Sequence, residues 1–224
     1  MTRFFDLFFA IVALVLLAPF LLPVIVILRF TGEGEVFYVQ RRVGLGETCF
    51  GLVKFATMLK DSPRMGTGTI TVKNDPRVLP VGALLRKTKI NELPQLWNII
   101  MGDMSLIGPR PLTPDAFAMY PGHMKTKISS VRPGLSGIGS IVFRDEESLM
   151  TRQKDPTEFY RSTIAPYKAE LELWFVENRS IWLYFKCIAI TAWVVLNPSS
   201  TTAFSVFKSM PKPPSEVRRN SRNS

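Results

Sequence analysis

The chain has 224 residues, enough for one domain of moderate size with a hydrophobic core. Its 28 Lys and Arg outnumber 18 Asp and Glu, giving a net charge of +10 at a mean hydropathy of +0.14, which favours an anionic membrane surface over nucleic acid. Two distant cysteines, Cys49 and Cys187, and a single histidine, His123, exclude a disulfide framework, a zinc site and a multi-histidine metal site.

Leu7 to Leu28, "LFFAIVALVLLAPFLLPVIVIL", is an uncharged run of 22 residues, long enough to cross a bilayer as a helix. No small-residue cleavage site follows it, which argues against a removed signal peptide. Pro19 and Pro23 each remove a helix hydrogen bond in mid-segment. Arg3 and Arg29 flank both ends, so the positive-inside rule gives no polarity. A helix broken at Ala18–Pro19 dips into one leaflet and returns to the same side. Spanning and re-entrant readings both stand at this point.

"EVFYVQRR" (Glu35 to Arg42) and "TCFGLVKFATM" (Thr48 to Met58) read as two strands, rich in β-branched and aromatic residues. "GTGTITVKNDPRVLPVG" (Gly66 to Gly82) is loop material, with a turn starting at Asp75–Pro76. A short helix is predicted over Gly82 to Lys89, and a second over Leu93 to Met101. In the second, Leu93, Leu96, Trp97 and Ile100 form one apolar face. Pro94 sits in its first turn, the Asn91 side chain is placed to cap it, and Glu92 lies at the positive end of its dipole.

Beyond Thr113 the pattern is helix, the Gly-rich turn "RPGLSGIGS" (Arg132 to Ser140), then helices from about Pro156 to Arg179. Ile181 to Leu196 is apolar but only 16 residues long and interrupted by Lys186, which suits a buried helix or one lying in the membrane interface. Lys208 to Ser224 holds five basic residues, one Glu and three prolines, and reads as a disordered basic tail touching anionic lipid.

Candidate chemistry concentrates around Glu92. Arg86, Lys87 and Lys89 precede it, Arg110 follows, and Arg132 opens the glycine turn. Arginine forks suit phosphate, and Gly134, Gly137 and Gly139 let backbone N–H groups approach an anion. One carboxylate among arginines suits a Mg²⁺–diphosphate site. Each piece also has a plain reading: a solvated basic face, a rigid turn at Gly108 to Pro111, a helix-end charge, turn glycines. Their order behind a proline-broken apolar segment is the more specific feature.

The blocks "KF-TM" (Lys54 to Met58), "NDPRV" (Asn74 to Val78), "ELPQLWN" (Glu92 to Asn98), "GDMSLIGPRPL" (Gly102 to Leu112) and "VRPGLSG" (Val131 to Gly137) carry a resemblance. The chain resembles the monotopic phosphoglycosyl transferases, bacterial sugar transferases that start glycoconjugate assembly on polyprenol phosphate. The resemblance implies an irregular, membrane-associated α/β fold. An N-terminal re-entrant helical hairpin (residues 1–30) and interfacial amphipathic helices would surround a small cytoplasmic catalytic domain (31–207), followed by the basic tail (208–224). It implies transfer of sugar 1-phosphate from a UDP-sugar to polyprenol phosphate with release of UMP, with Mg²⁺ as cofactor. The location implied is the cytoplasmic face of the bacterial inner membrane. Expected partners are the UDP-sugar, polyprenol phosphate and membrane lipid, with no nucleic acid; a homodimer is compatible with it. Glu92 is the expected catalytic and metal-binding carboxylate, Asn91 stands in the catalytic pair, and Arg86, Arg110, Arg132, Lys54 and Asp75 are the expected substrate-binding residues.

The sequence departs from that family at Asn91, where the family's nucleophilic Asp belongs, since an amide is a poor nucleophile at phosphorus. Ala56 replaces a usual basic residue, and "SGIGS" (Ser136 to Ser140) replaces a Gly-Trp continuation. Departures in separate motifs favour a divergent branch that uses Glu92 or direct displacement over a deliberately inactivated variant or a protein that only binds nucleotide-sugar or lipid phosphate. The run "RDEES" (Arg144 to Ser148) offers Asp145, Glu146 or Glu147 as a replacement carboxylate, or is a solvated helix start.

Overall fold

In the computed structural model the apolar N-terminal run forms one helix, α1 (Thr2–Arg29), whose assignment continues through Pro19 and Pro23. The structure describes residues 2–65, 74–144, 146–151, 153, 155–197, 206–207, 209–214 and 217, excepting the side chains of 147 and 148. By length and composition α1 is the one described helix able to cross a membrane. Its buried residues Asp6, Ala10, Leu21 and Leu28 mark a single stripe, because separations of 4, 11 and 7 residues all return to one face of a helix. Phe4, Phe8, Val15 and Phe20 are exposed on the other faces.

The stripe is covered by the rest of the fold along its whole length. Ala10 packs with Leu52, Leu96, Ile99 and Met104, and Leu21 and Leu28 pack with Phe55 and Leu85. The first turn adds polar clasps. Arg3 donates to the carbonyls of Ile99 (2.7 Å) and Ile100 (3.1 Å), at the negative end of a helix. Asp6 is buried and accepts from Ser105 Oγ (2.8 Å), the Leu106 N–H (2.9 Å) and the Tyr184 hydroxyl (2.8 Å).

Strands β1 (Phe37–Val43) and β2 (Cys49–Phe55) pair antiparallel, with Tyr38 opposite Lys54, Gln40 opposite Leu52 and Arg42 opposite Phe50. Helix α2 (Pro80–Lys87) starts two residues before the predicted Gly82, because Pro80 is suited to a first helical position. It stops before the predicted Lys89, because Lys89 adopts a left-handed conformation (φ 62°). A 3₁₀ turn (Ile90–Glu92) leads through Pro94 into α3 (Gln95–Met101). The predicted face of α3 is corrected. Leu96 and Ile99 are buried, whereas Trp97 is 53% exposed beside exposed Met101. Asn98 takes the inward position because β2 satisfies its amide: the Val53 N–H donates to Oδ1 (3.0 Å), and Nδ2 donates to the Gly51 carbonyl (2.8 Å).

Next come β3 (Ser105–Ile107), α4 (Pro114–Ala118), α5 (Gly122–Ile128) and β4 (Gly134–Ser136), β4 pairing parallel to β3. Helices α6 (Ile138–Val142), α7 (Glu146–Thr151) and α8 (Pro156–Phe159) follow. A π-helical turn (Tyr160–Ile164) then feeds α9 (Ala165–Glu177), and α10 (Ile181–Leu196) comes after it. Buried Ile138, Ile164, Leu171 and Cys187 belong to the largest core cluster. The expected loop Gly66 to Lys73 and most of the expected tail lie outside the described residues. Within the tail, Met210 and Val217 are buried in that core, and the Tyr167 hydroxyl donates to the Pro211 carbonyl (2.9 Å), so these described residues are packed rather than disordered.

Removing Asp6 strands three buried donors. Asp6→Ala is expected to lower unfolding stability in detergent micelles by about 3 kcal/mol, against about 1 kcal/mol for Ser105→Ala. Equal denaturation midpoints for Asp6→Ala and the parent chain would show that the clasp does not hold α1 to the fold.

Candidate active site

One cleft of about 1930 Å³ collects most of the polar residues that sequence reasoning singled out. Its walls include Phe9 and Leu16 of α1 and Ile188 and Val195 of α10; its polar lining includes Arg42, Lys54, Arg86, Asn91, Glu92 and Arg110.

Local geometry explains how Glu92 reaches this cleft. The left-handed Lys89 ends α2 and turns the chain, and its carbonyl accepts the Glu92 N–H (3.0 Å). That conformation costs about 1–2 kcal/mol in a residue other than glycine. Arg110 arrives from the turn after β3. A Cβ on Gly108 would stand 2.5 Å from the Arg132 carbonyl oxygen, so only glycine lets this turn lie against β4. The Gly108 N–H donates to Ser136 O (2.9 Å) and the Gly134 N–H to Pro109 O (2.8 Å). Two sequence motifs 25 residues apart thereby form one rigid unit.

Arg110 Nη2 donates to Glu92 Oε1 at 3.0 Å. Burial alone would raise the Glu92 carboxyl, but Arg110, Lys54 and Lys89 outweigh it and hold it at about 2. Glu92 in turn raises the proton affinity of Arg110 against the effect of burial. Lys54 is in the opposite situation. Burial lowers it to about 7, with Arg42 adding to the effect and Glu92 opposing it. The cluster therefore holds one ionised carboxylate and an excess of positive charge.

The remaining predicted residues divide. Arg86 lines the cleft, with Nη1 3.7 Å from Met58 Sδ. Asn91 is buried beside Glu92, and its Oδ1 has no hydrogen-bond partner. It does not cap α3, whose N-cap residue is Pro94 with no side-chain cap bond. Asp75 reaches the cleft edge, but its two oxygens accept from Arg77 Nε (2.9 Å) and Nη2 (2.6 Å). Arg77 in turn holds the carbonyls of Ser62 (2.8 Å) and Met65 (2.7 Å), which gives Asp75 a role in shaping the loop. Arg132 is not brought to the cleft; its Nε donates to the Gly102 carbonyl at 2.7 Å. Of the candidate replacement acids, Glu146 lines the cleft but accepts from Lys168 Nζ with both oxygens (2.7 and 2.6 Å). Asp145 and the Glu147 side chain lie outside the described residues.

Two residues escaped sequence reasoning. Arg42 lines the cleft from β1, where polar Gln40 and Arg42 face inward while Phe37 and Val39 are exposed. That inverted alternation was a usable signal. Glu172 on α9 is fully buried, and its Oε1 accepts the Arg110 backbone N–H (3.1 Å). Gly139 makes room for it, since a Cβ there would clash with Oε1. Nothing in "AELELWF" distinguishes Glu172 from Glu170.

Among the described residues no three His, Cys, Asp or Glu side chains group to hold a metal. A Mg²⁺ ion needs only one or two protein oxygens when substrate phosphates supply others. Glu92 and the partnerless Asn91 Oδ1 fit that donor set, for an ion arriving with a diphosphate.

The family described as bacterial sugar transferase matches residues 1–198. The chain belongs to the bacterial sugar transferase family. This transferase is 37% identical over 174 residues to the exopolysaccharide production protein ExoY of Rhizobium meliloti, covering 71% of its own length and 76% of that protein. It is 34% identical over 185 residues to the UDP-N-acetylgalactosamine-undecaprenyl-phosphate N-acetylgalactosaminephosphotransferase of Aeromonas hydrophila, covering 81% of its own length and 40% of the relative. It is 33% identical over 194 residues to the undecaprenyl-phosphate glucose phosphotransferase of Komagataeibacter xylinus, covering 84% and 34%.

Burial pushes Glu172 up to about 7. A raised carboxyl favours the folded state while protonated, so its contribution is full below about 4.5 and is lost as pH rises through about 7. Glu172→Gln, which cannot ionise, is expected to remove that decline, a difference of about 3 kcal/mol by pH 8. Denaturation of the transferase from pH 5 to 8 tests this; parallel stability curves for parent and variant would refute it.

Proposed function

We propose that this transferase moves a sugar 1-phosphate from a UDP-sugar to polyprenol phosphate and releases UMP. The observation that carries the reading is the cleft itself, which joins a cationic floor around Glu92 to apolar walls from α1 and α10. A nucleotide diphosphate suits the floor, and an amphiphile with a phosphate head suits floor and wall together. The names of the Aeromonas and Komagataeibacter relatives agree with a sugar phosphate passed to a lipid carrier.

In this reading an oxygen of the lipid phosphate attacks the sugar-bearing phosphorus of the donor. A new P–O bond forms, the bond to the bridging oxygen breaks, and UMP leaves with that electron pair. Arg86 and Arg110 neutralise the phosphate oxygens as charge shifts toward UMP. Bound Mg²⁺, held by Glu92 and Asn91 Oδ1, would supply Lewis-acid charge neutralisation. Single displacement is favoured because Asn91 has no anionic oxygen, while Glu92 and Glu146 are held by Arg110 and Lys168.

α1 completes the proposal. A continuous 28-residue helix is about 42 Å long. Its Arg3 and Asp6 end and its Leu28 end both contact the same folded unit. With the axis bent at Pro19 and Pro23, where two helix hydrogen bonds are lost, that arrangement suits a helix entering and leaving the bilayer on one side, the cytoplasmic face where nucleotide-sugars are found.

UMP release from a panel of UDP-sugars, with polyprenol phosphate and Mg²⁺, tests the reading. Release is expected with at least one donor and is expected to fall below about one-hundredth in Glu92→Gln, a loss of about 3 kcal/mol of transition-state stabilisation. No release from any donor would overturn it. Asn91→Asp is expected to bring little gain or a loss, because a second charge beside Glu92 repels the diphosphate. A large gain, with a phospho-sugar adduct on the new carboxylate seen by mass spectrometry, would instead establish a covalent route.

A further inference from the structure

The β1–β2 hairpin presents two cationic groups that no ion pair accounts for. Arg42 and Lys54 lie on the same face of the hairpin, because each shares its face with the residue paired opposite: Tyr38 with Lys54, Gln40 with Leu52, Arg42 with Phe50. Tyr38 and Arg42 stand four positions apart along β1, farther than either side chain spans alone. Gln40 closes part of that gap. Its Oε1 accepts from Arg42 Nη2 at 2.5 Å, which draws the guanidinium along the strand toward Lys54. Arg42 Nη1 donates to the Pro111 carbonyl (3.0 Å), fixing the fork from the other side. Arg42 Nε remains buried without a hydrogen-bond partner. Lys54 makes no hydrogen bond or ion pair among the described residues.

The nearest described anion, Glu92, is already engaged by Arg110. Neighbouring cations with unused donors inside a cleft repel one another until an anion enters. Burial and Arg42 both weaken the hold of Lys54 on a proton, in the direction that such repulsion requires.

We infer that Arg42 and Lys54, oriented by Gln40 and Pro111, form a second phosphate subsite beside the one at Glu92 and Arg110. The inference rests on the proposed reaction, in which two phosphorylated substrates meet in one cleft. The subsite takes a terminal phosphate, and either UMP or the lipid head group has that chemistry. Arg42 Nε and Lys54 Nζ donate to the phosphate oxygens, and the anion's charge favours the protonated form of Lys54.

The test reads binding without turnover. A lysine held near neutral pH in a partly neutral state acylates readily, and a bound phosphate protects it. The purified full chain in lipid nanodiscs, in EDTA near neutral pH, is treated with an amine-acylating ester, and Lys54 modification is followed by peptide mapping. Inorganic phosphate, UMP and polyprenol phosphate are the three probes. At least one is expected to slow Lys54 acylation about fivefold or more, corresponding to about 1 kcal/mol of interaction. UMP protecting alone assigns the subsite to the nucleotide, and polyprenol phosphate alone assigns it to the lipid.

Arg42→Gln is expected to lose the protection, Arg42→Lys to retain part of it, and Glu92→Gln to retain it fully. Exposed Lys127, which does not line the cleft, is the internal standard. Protection unchanged in Arg42→Gln, protection lost in Glu92→Gln, or no protection by any probe overturns the inference. Failure of UMP release in the turnover assay, with protection intact, would overturn the reaction and leave the subsite standing.

Discussion

The contact between Arg110 and Glu92 is the constraint around which the cleft is arranged. A buried ion pair contributes little net stability, because desolvation of both partners offsets their attraction. Its effect here is local. It keeps a carboxylate ionised among Arg110, Lys54 and Lys89, and it fixes where that negative charge lies. Three distant stretches support the pair: the left-handed Lys89 aims Glu92, the Gly108 turn stitched to β4 aims Arg110, and Glu172 holds the Arg110 backbone from beneath. Displacing any of them moves the charge relative to the cations around it.

That support was only partly legible in the sequence. The two hairpin strands and the helices around Glu92 follow from β-branched runs, apolar spacing and proline positions, all local signals. The mutual approach of Arg86, Glu92 and Arg110 also follows, because short elements separate them. Arg132 failed the same reasoning. It occupies a basic position in a glycine turn, but the chain directs it to a helix-end carbonyl, which only the tertiary contact reveals. Asp75 was read as a substrate ligand, yet Arg77 two residues later takes its oxygens, a pairing that spacing alone does not rank above alternatives. The face of α3 was misread because a hydrogen-bonded Asn98 displaced Trp97 from the interior. Hydropathy cannot anticipate a buried amide whose partners come from another strand.

Polarity in the molecule is arranged against the usual sense. β1 places its polar side chains toward the cleft, while Phe37 and Val39 are exposed. α1 and α10 likewise leave Phe20, Trp182 and Leu196 uncovered. Exposed apolar surface on this scale marks a surface that meets lipid or another apolar partner. The interior, meanwhile, is the charged compartment. The cleft thus sets apolar side chains of α1 and α10 against the charged groups Arg42, Lys54 and Arg110.

The stripe of α1 residues has a consequence for how such an enzyme is disposed of. Ala10, Leu21 and Leu28 are members of the clusters that contain Leu52, Phe55, Leu85 and Leu96, so the helix is an internal wall of the fold as much as an anchor. Proteolysis behind Arg29 would strip that wall from β2 and α3 and withdraw Asp6 from Ser105 and Tyr184. Such a cut does not release a working fragment. It unmakes the fold, so the folded state is confined to molecules that keep their apolar helix.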